Sequence, residues 1–180
     1  MSEISGLVDC CRIRQLCAAA CLWLVMSSSG QLVAGEQPEL SPFKSDGCSL
    51  FPDETYYGCC FLHDFAYWKG GVKADKDRAD AALRDCVSEV TGKPELGALM
   101  YFGVQAGGGP QFPTTYRWGY GWRWPHRLGF APLAAEELAQ VAAMTSRFCS
   151  ALNLESATSE VAVDGGGKIT VNQARQICPL

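Results

Sequence analysis

Cys59-Cys60-Phe61-Leu62-His63-Asp64-Phe65-Ala66-Tyr67-Trp68 is the stretch from which the rest of the chain is read. One of the protein's two histidines stands here beside an aspartate, and two adjacent cysteines precede it by one helical turn. At about 100° per residue, an α-helix gathers Cys59, Cys60, His63, Ala66 and Tyr67 within roughly one third of its circumference. Asp64 points about 100° away from His63, so the two neighbours are expected to do separate work rather than pair with each other.

A second helix is expected from Lys76 to Val90. Its apolar positions Ala79, Ala82, Leu83, Cys86, Val87 and Val90 follow the i, i+3, i+4, i+7, i+8 rhythm of one buried stripe. Of its acids, Asp80 lies nearest that stripe, whereas Asp77 and Asp85 point to water. Gly70-Gly71 ends the first helix, because glycine accepts the left-handed conformation that closes one, and the short linker suits an antiparallel hairpin. The two registers then constrain each other. From His63 back to Cys59 is roughly 6 Å of rise, and from Asp80 on to Cys86 roughly 9 Å in the same direction. A Cys59–Cys86 disulfide would therefore bring Asp80 opposite His63.

These residues resemble a known family. Cys-Cys-x-x-His-Asp with a tyrosine four residues after the histidine, the upstream turn Asp46-Gly47-Cys48-Ser49, and a later helix with aspartate and cysteine six apart are similar to secreted phospholipase A2. His63-Asp64-Phe65-Ala66-Tyr67 and Arg78-Ala79-Asp80 are most similar to its small bacterial and fungal members. The resemblance covers residues 46–90. It implies a mainly α, disulfide-linked phospholipase A2-like platform of two antiparallel helices, with His63 as general base, Asp80 as its orienting partner and Tyr67 in the same network. It further implies a calcium ion held by Asp64, by the carbonyl of Gly47 and by the Asp46 carboxylate. The family's cysteine pattern implies Cys48–Cys60 and Cys59–Cys86, which leaves Cys149 and Cys178 to pair with each other.

Composition agrees with export. The 180 residues allow one domain, 48% hydrophobic content is ample for a core, and a net charge of −4 offers no electrostatic case for nucleic acid. Residues 1–35 read as an export signal, with Arg12 and Arg14, an apolar run from Leu16 to Met26 and small residues after it. About eleven apolar residues fall short of the roughly 20 a spanning helix needs. An uncleaved amphiphilic anchor is the alternative. Removing the signal removes Cys10, Cys11, Cys17 and Cys21 and leaves six cysteines, an even number that suits disulfides in a secreted or periplasmic protein. Zinc on Cys59, Cys60 and His63 is the rival reading, disfavoured because adjacent cysteines rarely serve one tetrahedral site.

Residues 36–180 are read as a single domain. Pro94 opens a third helix to about Gln105, with Leu96, Leu99, Met100 and Gly103 on its buried face. Residues 107–127 are Gly-rich and aromatic. Trp118, Trp122 and Trp124 interleave there with Tyr116, Tyr120 and three arginines, a composition that suits a membrane interface or, alternatively, the cap of a small core. The interfacial reading expects Trp118 and Trp122 to be partly exposed near the His63 site. The C-terminal part, 133–180, is expected to hold a helix from Leu133 to Leu152, with Leu138, Val141, Ala142, Phe148 and Leu152 on one side. A small β-hairpin should follow, setting Val161 and Val163 against Ile169 and Val171.

The function these expectations converge on is calcium-dependent hydrolysis of the sn-2 ester of phospholipids at a membrane or micelle surface. The alternative is an inactive lipid- or protein-binding module on the same scaffold.

Overall fold

A computed structural model describes residues 38–178, apart from 50, 53, 54, 153 and 165. The expected export signal, with its four cysteines, lies outside the described residues. Five helices and one two-stranded antiparallel sheet make up the described chain: α1 Tyr57–Lys69, α2 Lys73–Thr91, α3 Pro94–Gly107, α4 Ala135–Ala151, β1 Glu160–Ala162, β2 Lys168–Thr170 and α5 Val171–Ile177.

Helix α1 is buried on nearly every side. Phe61, Phe65 and Trp68 enter one apolar cluster with Leu40, Phe43, Trp122 and the C-terminal residues Val161, Ile169 and Ile177. Cys59 and Cys60 enter a second with Leu83 and Val87 of α2 and Met100 of α3. A helix apolar all round belongs between layers, and α1 holds that place. Gly70 closes it at φ 72°, with its N–H on the carbonyls of Ala66 and Tyr67. Helix α2 starts where the Asp75 carboxylate accepts the Val72 N–H at 3.1 Å, and runs back antiparallel to α1.

Three disulfides tie these elements, Cys48–Cys60, Cys59–Cys86 and Cys149–Cys178, with Cα separations of 5.2, 5.7 and 5.6 Å. All three pairings are the expected ones.

Helix α3 lies against α2 at close range. A Cβ on Gly97 would stand 2.4 Å from the Arg84 carbonyl oxygen, so only glycine lets the backbones meet there. That contact rotates α3 away from its expected register. Gly97 and Met100 are buried, whereas Leu99 and Gly103, expected inside, are exposed. Helix α4 docks through Phe148, whose ring lies 5.4 Å from Phe43 and 6.0 Å from Phe61, with Val141 and Met144 alongside. Leu138, expected on that face, is more than half exposed, because α4 meets the core mainly through its later turns.

The expected hairpin is present, with Val161 opposite Ile169. Val171 gives the hairpin one last bond, its N–H donating to the Ser159 carbonyl at 3.0 Å, but is itself the first residue of α5. Thr170 Oγ1 accepts the Gln173 N–H at 3.2 Å while Gln173 Oε1 accepts the Thr170 N–H at 2.9 Å, a capping box that converts the strand directly into α5.

Candidate active site

His63 projects from the middle of α1 towards α2 and is almost fully buried. Its Nε2 donates to Asp80 Oδ1 at 2.9 Å. A carboxylate can only accept, so this bond selects the tautomer with the proton on Nε2 and leaves Nδ1 as a lone-pair nitrogen. Nδ1 faces Asp64 at 3.9 Å, too long for a hydrogen bond, so Asp64 attracts the ring by charge only once the ring is protonated. Burial opposes protonation of His63, but Asp64 and Asp80 together outweigh it and raise the imidazole above its ordinary value.

Asp80 has no solvent exposure, and each of its oxygens is doubly satisfied. Oδ1 accepts His63 and, at 2.7 Å, the Tyr67 hydroxyl. Oδ2 accepts Lys76 Nζ at 2.6 Å and Gln105 Nε2 at 2.5 Å. Burial alone would push this carboxyl up, but the bonds from His63, Lys76 and Tyr67 prevail and hold it below the ordinary carboxylate range. The Tyr67 hydroxyl is pushed far up by burial and by Asp80, so it remains a donor. Its ring lies 4.1 Å from the His63 ring and restrains it.

Lys76 and Gln105 are absent from the sequence-level site. For Lys76 the i, i+4 spacing to Asp80 was a signal, but the same spacing links Lys73 to Asp77 on the surface. Nothing local marks Gln105, which reaches Asp80 only because α3 folds back over α2.

On the other side of His63, the turn before α1 faces Asp64. Ser45 Oγ donates to Asp64 Oδ2 at 2.5 Å and accepts the Gly47 N–H at 3.1 Å. Gly47 takes φ 76°, and Ser49 Oγ donates to both Asp46 oxygens at 3.2 Å. Burial raises the Asp64 carboxyl, aided by the charge of Asp46 and opposed by His63 and Ser45. Among the described residues, no lysine or arginine pairs with either acid. The Asp64 carboxylate, the Ser45 hydroxyl and the carbonyls of the turn are hard oxygen donors, the type calcium takes, whereas the Asp46 carboxylate is exposed and bonded to Ser49. No group of three or more His, Cys, Asp or Glu side chains converges for a metal among the described residues, so further ligands would be backbone carbonyls and water. Cys59 and Cys60 are each in a disulfide, which removes them as zinc ligands.

The aromatic segment corrects an expectation. Trp118 and Trp122 are 2% and 1% exposed rather than at the surface. Their indole N–H groups donate to the carbonyls of Gly71 and Lys69 at 2.9 and 2.8 Å, capping the turn between α1 and α2. Buried Arg117 donates to the carbonyls of Trp118, Trp122, His126 and Arg127 and so knits the segment into a plug. Orphan carbonyls at a helix end need donors, and these side chains supply them. The segment's exposed rings are Tyr116, Trp124 and, to a lesser degree, Phe112.

The chain matches no family model, and it is not significantly similar to any curated protein or solved structure.

Proposed function

We propose that this protein is a calcium-dependent, phospholipase A2-like hydrolase of the sn-2 ester of glycerophospholipids. One observation carries the reading: His63 has Nε2 committed to a buried aspartate and Nδ1 left as a base beside the separate carboxylate of Asp64. An imidazole held in one tautomer can take a proton from water as the water attacks an ester carbonyl, without a serine nucleophile. Asp80 then stabilises the imidazolium, and Tyr67 limits the movement of the ring. After attack, His63 returns the proton to the leaving alkoxide. Asp64, with Asp46 and Gly47 from the preceding turn, would hold calcium, which supplies charge to the developing oxyanion and to the phosphate. The division of labour between His63 and Asp64 matches the resemblance over residues 46–90. The three disulfides suit an oxidising compartment, so the proposal places the protein outside the cytosol, secreted or periplasmic.

The deciding experiment measures fatty-acid release from phosphatidylcholine vesicles with calcium and with excess chelator. Hydrolysis is expected only with calcium. His63→Gln should lower it by about 10² to 10⁴, the range general-base catalysis supplies, while calcium binding persists. Activity that survives chelation or the His63→Gln change would overturn the mechanism. Vesicle binding without hydrolysis would instead favour a non-catalytic lipid-binding module.

A further inference from the structure

The proposed reaction uses one oxygen of Asp80, yet the protein spends a buried ammonium and a half-buried amide on the other. Lys76 is 4% exposed, and its ammonium lies 2.6 Å from Asp80 Oδ2, 3.3 Å from the Val104 carbonyl oxygen and 5.4 Å from the centre of the Tyr67 ring. Gln105, next to Val104 on α3, fills the second acceptor position of the same oxygen. Lys73 and Asp77 make a pair of equal spacing with side chains 64% and 45% exposed, so sequence spacing alone does not produce this burial.

Burying an ammonium is costly, and an isolated buried carboxylate is costly too. A neutral His63 gives Asp80 a hydrogen bond but no positive charge. The charge that keeps Asp80 ionised while the base awaits its proton must come from elsewhere, and Lys76 is the only cation in contact with Asp80 among the described residues. The planar carboxylate is also fixed in rotation, because Oδ2 is bonded from both α2 and α3.

We infer that Lys76, assisted by Gln105, is a positioning residue of the His63 site, which holds the Asp80 carboxylate through Oδ2 so that Oδ1 stays aligned with His63 and Tyr67. The inference rests on the reading of His63 as the base. Lys76 touches no reacting atom in that scheme and acts only through Asp80. Its bond to Val104 carries the same demand to α3, so the packing of that helix bears on the alignment of the base.

The test compares wild type, Lys76→Met, Asp80→Asn and the double variant for kcat and KM on phosphatidylcholine vesicles. In parallel, nuclear magnetic resonance follows the ring N–H protons of the two histidines. Lys76→Met is expected to lower kcat on the order of 10- to 100-fold, as loss of a supporting partner does, with KM nearly unchanged. Added to Asp80→Asn it should cost less than about twofold, since residues acting as one unit are not additive. The Nε2–H signal of His63 should shift in Lys76→Met, while that of His126, bonded to Glu137, stays in place. Equal losses in both backgrounds, or an unchanged kcat with an unmoved His63 signal, would overturn the inference. If Lys76→Met does not fold, the double variant, whose buried pair is uncharged, decides by comparison with Asp80→Asn. A wild type inert towards phospholipid would sink the hydrolase reading, and the His63 signal would still decide the role of Lys76.

Discussion

His63 and Asp80 are 17 residues apart in the chain and 2.9 Å apart in space, one turn of α1 from the Cys59–Cys86 disulfide. The bridge and the hydrogen bond measure the same register between two antiparallel helices. A slip of α2 by one residue would rotate Asp80 about 100° away from His63 and also break the cystine geometry.

Replacing Cys59 and Cys86 together by alanine should destabilise the protein by about 3.5 kcal/mol in chemical denaturation, as expected for a loop of this size. The Cys149–Cys178 bridge closes a loop of similar length, 29 residues against 27, so its removal should cost a similar amount. Hydrolysis by the folded protein should respond only to the first change. Equal losses of activity would show that the register of α1 and α2 does not depend on its bridge.

Asp64→Asn removes a charged oxygen donor and leaves Ser45 without its carboxylate acceptor. Titration calorimetry should show calcium affinity reduced at least about tenfold, with Ser45→Ala doing less because it orients the ligand without being the charge. Unchanged calcium affinity in Asp64→Asn would remove Asp64 from the metal site.

Trp118→Ala should cost about 3 to 5 kcal/mol, since it opens a buried cavity and leaves the Gly71 carbonyl without its donor. Trp124→Ala, at an exposed ring, should fall within about 1 kcal/mol of wild type. Denaturant midpoints for the two variants check this, and similar values would contradict the plug.

Glu137 accepts His126, Arg127 and the Ala134 N–H at the start of α4. Burial works against its charge, but these bonds prevail and hold its carboxyl below the ordinary value of 4.5. A carboxyl lowered in the folded state stabilises it above the unfolded value and loses that contribution as pH falls through the folded one. Glu137→Gln should therefore cost about 2 kcal/mol at pH 7, the range for hydrogen bonds to a charged group. The difference from wild type should shrink as pH falls below about 4.5. A gap in melting temperature that stays constant down to pH 3 would show that the charge contributes nothing.

Local pattern carried a large share of this protein. The helical rhythm of 79–90, the Gly70-Gly71 stop, Pro94 at the first turn of α3 and the separation of Asp80 from Asp77 and Asp85 depend on one chain segment at a time, and a 3.6-residue period reports them directly. The register of α1 on α2 was legible for the same reason, because two spacings along stiff rods had to agree. Helix α5 was not expected: the strand pattern through Val171 hid it, although the Thr170–Gln173 capping spacing that starts it is equally local.

What lies across from a side chain is a non-local fact, and only the tertiary structure decided it. Trp118 and Trp122 turn inward because the carbonyls of Gly71 and Lys69, some fifty residues earlier, need donors. Leu99 turns outward because Gly97 draws the opposite face of α3 onto α2. Lys76 is buried because Gln105 and Val104 come over it from α3, which makes its ammonium part of the His63 site while Lys73, one turn away on the same helix, stays in water. Periodicity specifies which residues share a face, but the desolvation that turns a surface ion pair into a buried, ordering one comes from the element packed on top.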